Sequence, residues 1–216
     1  MIPLLSILIP TVVGRERERE MLISKICGDN LHQINGSVTS FGGFVVFYTF
    51  MNLDIEMIVY EDNKEITIGE KREQLYNAAN GLYSWQIDDD DLISDNAIEL
   101  ILKAIKHDTD CICFKELIDI DGKISHSNIS LDYGDWEGDG SKELWDGFSY
   151  HRTPFFKTPI KTEICKQVGV KAMRFAEDHD FAQRIKPLLK SMTYIPEFIY
   201  HYIHISSPFN LRYGIQ

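Results

Sequence analysis

The chain has 216 residues, with 33 Asp and Glu against 22 Lys and Arg, for a formal net charge of -11 at pH 7. That balance argues against general binding to nucleic-acid phosphates or anionic membrane surfaces, while leaving room for a local basic site. The length suits one large domain, or one domain with two closely joined halves, and is ample for a sizeable core. The four cysteines, Cys27, Cys111, Cys113 and Cys165, form no CxxC pair. They read as reduced, mostly buried thiols of a cytoplasmic protein, and the pattern argues against a zinc site.

The opening "MIPLLSILIP" is apolar but has no basic leader or small-residue cleavage site, so Leu4 to Ile9 reads as a buried strand. A turn from Pro10 to Gly14 leads to a charged helix from about Arg15, with Met21, Leu22 and Ile26 on one face. Residues 35–52 fit no single period. Within them "FGGFVVFYTFM" at 41–51 is too short to span a bilayer and reads as a buried segment, with membrane-surface contact as the alternative. Ile55 to Tyr60 is a second strand. Glu70 to Asn80 has helical spacing through Leu75, Ala78, Ala79 and Leu82, with Gly81 as the stop. Tyr83 to Ile87 is a third strand. Asp95 or Asn96 should cap the next helix, whose stripe is Ile98, Ile101, Leu102 and Ile105. Asp110 to Lys115 is a fourth strand, and "DIDGKI" is a hairpin signal. The part from about 116 onward is mixed and loop-rich.

Alternation of strand and helix implies an α/β fold with a mostly parallel sheet and helices on its faces, and ligands then bind beyond the carboxyl ends of the strands. Asp62 and Asp88 follow the second and third strands and fall on that edge. After Ile87 come four aspartates, Asp88 to Asp91. A hard divalent cation would relieve their mutual repulsion and leave positions for a diphosphate. A solvated acidic loop is the competing reading of such a run taken alone. An EF-hand is a poor fit, because its Gly and distal Glu are missing.

The stretch "GEKREQLYNAANGLYSWQIDDDD", residues 69–91, resembles the inverting glycosyltransferases of family 2, which have the GT-A fold. The matching marks are Gly69, Lys71-Arg72, Ala79-Asn80-Gly81, Tyr83 and the aspartates. "LLSILIPT" looks like that family's first strand and nucleotide-contacting turn. "MIVYEDN" looks like its second strand, and "FAEDHDFAQRI" at 175–185 like its base motif. The resemblance implies one GT-A domain over 1–216, Rossmann-like, with a nucleotide-sugar-binding half over about 1–115 and an acceptor half over about 116–216. It implies Thr11 and Arg15 near the nucleotide and Asp62 near the base. Lys71 and Arg72 would approach the nucleotide or its phosphates. Asp88 would sit on the ribose or metal, with Asp89 beside it on the cofactor side, and Asp90 would ligate Mn2+ or Mg2+. Asp178 would be the general base, with Glu177 at its side. Where the family has Asn after the basic pair, this chain has Glu73.

Some GT-A enzymes use a late histidine as a metal ligand, which makes His204 a further candidate; a packed or exposed histidine is the plainer reading. Trp85 reads as core, while Trp136 and Trp145 are acceptor candidates. "HRTPFFKTPIK" at 151–161 could be a lid, an acceptor wall or a rigid connection. The expected activity is metal-dependent transfer of a sugar from a nucleotide diphosphate donor, a UDP-sugar above all, to an acceptor hydroxyl with inversion. The rivals are a nucleotidyltransferase using the same acidic strand end and a non-catalytic nucleotide-sugar-binding module. The acceptor could be a glycan or another hydroxyl-bearing molecule. A modified nucleobase is a further candidate, and no stable membrane insertion is expected.

Overall fold

A computed structural model describes residues 2–28, 34–40, 44–50 and 54–206; for 34–40 and 44–50 this is the backbone alone. The strands are β1 (Leu5–Val12), β2 (Ile34–Ser40), β3 (Phe44–Phe50), β4 (Ile55–Asp62), β5 (Tyr83–Gln86), β6 (Leu92–Ile93), β7 (Cys111–Ile120), β8 (Lys123–Ile129), β9 (Tyr150–Arg152), β10 (Ile160–Lys161) and β11 (Met192–His204). The helices are α1 (Glu16–Cys27), α2 (Ile68–Ala78), α3 (Ala97–Ile105), α4 (Thr162–Val168) and α5 (Glu177–Ile185). The main sheet runs β2-β3-β4-β1-β5-β10-β7-β11-β6, with β8 beside β7 and β9 beside β8.

The centre of the sheet is parallel. β1 pairs with β4 on one side and β5 on the other, all in the same direction, and β11 runs parallel to β7. Covered on both faces, "LSILIP" is buried throughout, as a central parallel strand requires. The antiparallel members lie toward the margins or are short insertions: β2, β3, β6, β8 and the two-residue β10. The described residues within 35–52, unassigned from sequence, belong to the antiparallel pair β2 and β3, which extends the sheet past β4. The side chains of 41–51 lie outside the described residues, as does the backbone of 41–43 and Met51. Among the described residues no helix is long and apolar enough to cross a membrane.

Local sequence explains most element ends. α2 begins two residues before the expected start because Thr67 and Glu70 form a capping box. The Thr67 hydroxyl accepts from Glu70 N (3.1 Å), and the Glu70 carboxylate accepts from Thr67 N (2.8 Å). Leu82, expected on the helix face, lies beyond the helix and is 51% exposed. Neither Asp95 nor Asn96 caps α3 with its side chain; Asp95 pairs with Lys25, and the Asn96 amide donates to Glu197. The hairpin at Asp121-Gly122 is present, with both residues at positive φ (54° and 82°), the pattern of a type I′ turn. β7 and β11 are longer than sequence periodicity indicates. β11 carries register shifts from Ile195 to Tyr200, and Pro196, which has no N–H to donate, sits at that break.

Gly81 ends nothing by a left-handed turn. Its N–H donates to Ser6 Oγ (2.8 Å) and to the buried Glu56 (3.1 Å), and a Cβ there would lie 2.6 Å from Ser6 N. Gly81 is needed for close approach to β1. We expect Gly81→Ala to destabilise the fold by about 1–3 kcal/mol, the usual cost of overpacking, read as a lowered urea midpoint. An unchanged midpoint would show that β1 and the 79–82 segment can part without cost.

Candidate active site

Three strand ends meet at one edge of the sheet. Val12 pairs with Asp62, so β1 and β4 finish together, and Ile87 N donates to Leu8 O (3.0 Å) as β5 runs out into Asp88. A cleft follows this edge as two adjoining cavities. One, of about 310 Å³, is lined by Thr11, Arg15, Lys64, Lys71, Arg72 and Asp88 to Asp90, among others. The second, of about 400 Å³, includes Glu116, Trp136, Arg152, Phe156, Lys157, Asp178 and Tyr202 in its walls. Arg72 and Asp88 line both.

The four aspartates are held by the protein's own groups. Asp89 accepts from Thr11 Oγ1 (2.5 Å) and from Arg15 Nη1 (2.7 Å), and Asp90 accepts from the same Arg15 nitrogen (3.0 Å). Asp88 pairs with Arg72 Nη1 (2.9 Å). Asp91 is buried, accepts from Tyr200 Oη (2.7 Å) and Ile203 N (2.9 Å), and lies 3.3 Å from Lys157 Nζ. Arg15 therefore does not cap α1; it leaves the helix start to reach across to the aspartates. These pairings split the titration behaviour of the run. Burial raises the Asp89 and Asp91 carboxyls against the pull of Arg15 and Lys157. Burial acts on Asp88 as well, but Arg72 outweighs it and holds that carboxyl below its ordinary value.

The basic pair lies beneath the cleft. Lys71 is buried, ion-paired with Asp62, and donates to the Thr11 carbonyl (2.5 Å), so it braces the ends of β1 and β4. Arg72, 4% exposed, donates to Gln86 Oε1 (3.1 Å) and Glu177 Oε1 (3.3 Å) in addition to Asp88, and its guanidinium stacks 3.6 Å from the Phe156 ring centre. Both residues line the first cavity, yet their charges are already matched inside the protein. Lys64, which sequence reasoning passed over, is an exposed cation on the rim of that cavity. Glu73 points elsewhere: it accepts from Val170 N (2.6 Å) and ties α2 to the end of α4.

On the other side of Arg72, Glu177 opens α5. Burial raises its carboxyl, with Arg72 opposing. Asp178 lines the second cavity, half-buried, and accepts from His179 N (2.8 Å). Lys157 was also missed from sequence. It is buried between Asp91 and Glu116 (3.2 Å) and lies over the rings of Tyr202 (3.9 Å) and Tyr200 (4.7 Å). Burial alone would lower its ammonium, but the two carboxylates raise it. A single lysine in a Pro-flanked loop carries no sequence signal for this role. The 151–161 stretch forms a wall of the second cavity through Arg152, Phe155, Phe156 and Lys157 and ends in β10.

The remaining sequence candidates divide. Trp85 is fully buried and donates to the Lys157 carbonyl (2.6 Å). Trp136 lines the second cavity; Trp145, 86% exposed, does not. The four cysteines are buried free thiols. His204 ends β11, exposed and stacked on Tyr202. Among the described residues no three His, Cys, Asp or Glu side chains converge as a metal cage, so His204 is not gathered with Asp88 and Asp90. Asp88 and Asp90 themselves suit a hard cation of the Mg2+ or Mn2+ kind. Their side chains are 23% and 21% exposed toward the cleft, and such ions bind through one or two carboxylates plus substrate phosphates. A larger cavity of about 700 Å³ lies at the opposite ends of β1 and β5; of its three lysines, Lys161 is engaged by Asp108 and Asp110 and Lys166 by main-chain carbonyls, and the third is Lys106.

No protein-family model matches the chain, and no curated protein does. Solved structures do. S. aureus TarS 1-349 superposes with a TM-score of 0.55 at 14% identity, over 92% of this chain and 60% of the other. TarS 1-349 in complex with UDP-GlcNAc gives 0.56 at 14%, over 94% and 59%, and in complex with UDP 0.54 at 14%, over 98% and 62%. The chain thus spans about three fifths of the length of those structures. The sheet with its parallel centre and helical faces, together with the likeness to these structures, gives this chain the GT-A fold.

Proposed function

We propose that the protein is a metal-dependent, inverting glycosyltransferase of the family 2 type, using a UDP-sugar. The observation that carries this reading is the pair of cavities joined at Arg72 and Asp88. A donor in the first would present its anomeric carbon at the junction, and an acceptor in the second would present its hydroxyl from the side of Asp178. The UDP-GlcNAc and UDP complexes of TarS, a protein of the same fold, support a nucleotide-sugar donor.

In this mechanism Thr11, Arg15 and Lys64 face the nucleotide end, while Asp62, expected there, is buried against Lys71 and is not part of the cavity lining. Asp88 and Asp90 would hold Mn2+ or Mg2+, which supplies positive charge against the departing diphosphate. Asp178 accepts the proton of the acceptor hydroxyl as its oxygen bonds to the anomeric carbon. The bond from that carbon to the diphosphate breaks on the opposite face, and its electron pair leaves with UDP. Arg72 orients both carboxylates that bracket the junction, Asp88 and Glu177.

Incubation with a sugar-labelled and phosphate-labelled donor tests the reaction. Transfer releases UDP, nucleotidyl transfer from the same donor would release sugar 1-phosphate, and a binding module would release neither. A further expectation concerns Asp90. Asp90→Ala should abolish the enhancement of UDP binding by Mn2+ in calorimetry while the thermal unfolding curve stays cooperative. The same Mn2+ enhancement in the variant would remove Asp90 from the metal site.

A further inference from the structure

Arg152, half-buried, differs from the other cations of the cleft. Arg15, Lys71, Arg72 and Lys157 each pair with at least one carboxylate. Arg152 makes no ion pair among the described residues, although Glu116 and Asp178 are near enough to act on its charge. It donates from Nη1 to the main-chain carbonyls of Glu137 (2.8 Å) and His151 (2.9 Å). Its guanidinium lies 4.8 Å from the Trp136 ring centre and 4.7 Å from that of Tyr150. Two carbonyls and two rings fix the guanidinium, and Nη2 and Nε are left as donors in a residue that lines the second cavity. Burial also lowers its pKa, since no carboxylate within bonding distance offsets the loss of water.

We propose that Arg152 makes the second cavity selective for an acceptor that carries an anionic group, a carboxylate or a phosphate, close to the hydroxyl that reacts. The proposal rests on reading this cavity as the acceptor side. A rigid guanidinium with free donors matches the planar carboxylate and the phosphate oxygens, and gains little from a neutral hydroxyl. Trp136 beside it offers a ring on which a sugar can stack. Asp178 lines the same cavity, and its carboxylate would repel an anion, which leaves Arg152 as the group to hold it.

The test uses two matched pairs of probes on the intact protein: methyl β-glucuronide against methyl β-glucoside, and glycerol 1-phosphate against glycerol. Binding is measured by ligand-observed NMR. At least one anionic probe should bind about ten-fold or more tightly than its neutral partner, the range for a charge-assisted hydrogen bond, and the pair that shows it separates carboxylate from phosphate. In Arg152→Gln that preference should vanish; in Arg152→Lys part of it should remain. In the unaltered protein the preference should fall with added salt, a readout that needs no variant to fold. Equal binding of charged and neutral probes, or a preference that survives in folded Arg152→Gln, would overturn the proposal. UDP binding to the unaltered protein is measured alongside. Its absence with anion selectivity intact would sink the donor reading alone; its presence without anion selectivity would sink this one alone.

Discussion

Asp178→Asn should retain UDP and metal binding and lose sugar transfer by at least about a hundred-fold, the lower end for removal of a general base. The substitution preserves shape. Asn can still accept from His179 N through Oδ1, so the start of α5 should be undisturbed. What it removes is the oxygen able to take a proton. Asp178 lines the second cavity and not the first, so the donor side should not register the change. Single-turnover transfer and calorimetric UDP binding, measured on the same preparation, decide the matter. Transfer near the unaltered rate would dismiss Asp178 as the base, and loss of UDP binding in step with activity would move it to the nucleotide side. Glu177 is a poorer candidate because its carboxylate is already engaged by Arg72. Glu177→Gln should therefore act through Arg72 and disturb stability as well as rate.

The largest effect on stability is expected at Arg72. Arg72→Met keeps an unbranched side chain over Phe156 and deletes the charge. Asp88 and Glu177 are then left partly buried without their cation, and Gln86 loses a donor. Breaking a buried ion pair by removing one partner costs about 3–5 kcal/mol. We expect a loss in that range by urea unfolding, with weakened binding on both sides of the junction. Glu177→Gln added to Arg72→Met should recover part of the lost stability, because it removes one of the stranded charges. A loss below about 1 kcal/mol, with no recovery in the double variant, would mean that water replaces the guanidinium freely. The sequence-based expectation for this residue is approach to the nucleotide or its phosphates. The burial of Arg72 moves its expected signature from a selective loss of phosphate affinity to a general loss of stability.

The sequence alone determined the parallel half of the molecule. In "LSILIP" and "IEMIVY" only Ser6 and Glu56 are polar, and runs so short and so apolar read as strands covered on both faces. The Asp121-Gly122 pair acts through dihedral preferences of two residues and was read directly; the Thr67–Glu70 box is equally local but was passed over, which set the helix start two residues late. The position of the acidic run at a strand end followed from the same logic, since Trp85 and Ile87 deliver it to the edge of the sheet. Tertiary structure decided what the run meets there. Arg15, Arg72 and Lys157 come from three distant parts of the chain, 15, 72 and 157, and no local pattern marks a cation that will be buried against a carboxylate. The same holds for β11, whose 13 residues are interrupted by Pro196 and are held as a strand by β7 and β6 on either side. Gly81 shows the limit in a single residue. Its place after a helical pattern suggested a stop, whereas the need for glycine comes from Ser6 on another strand, a contact that exists only once β1 and β5 lie side by side.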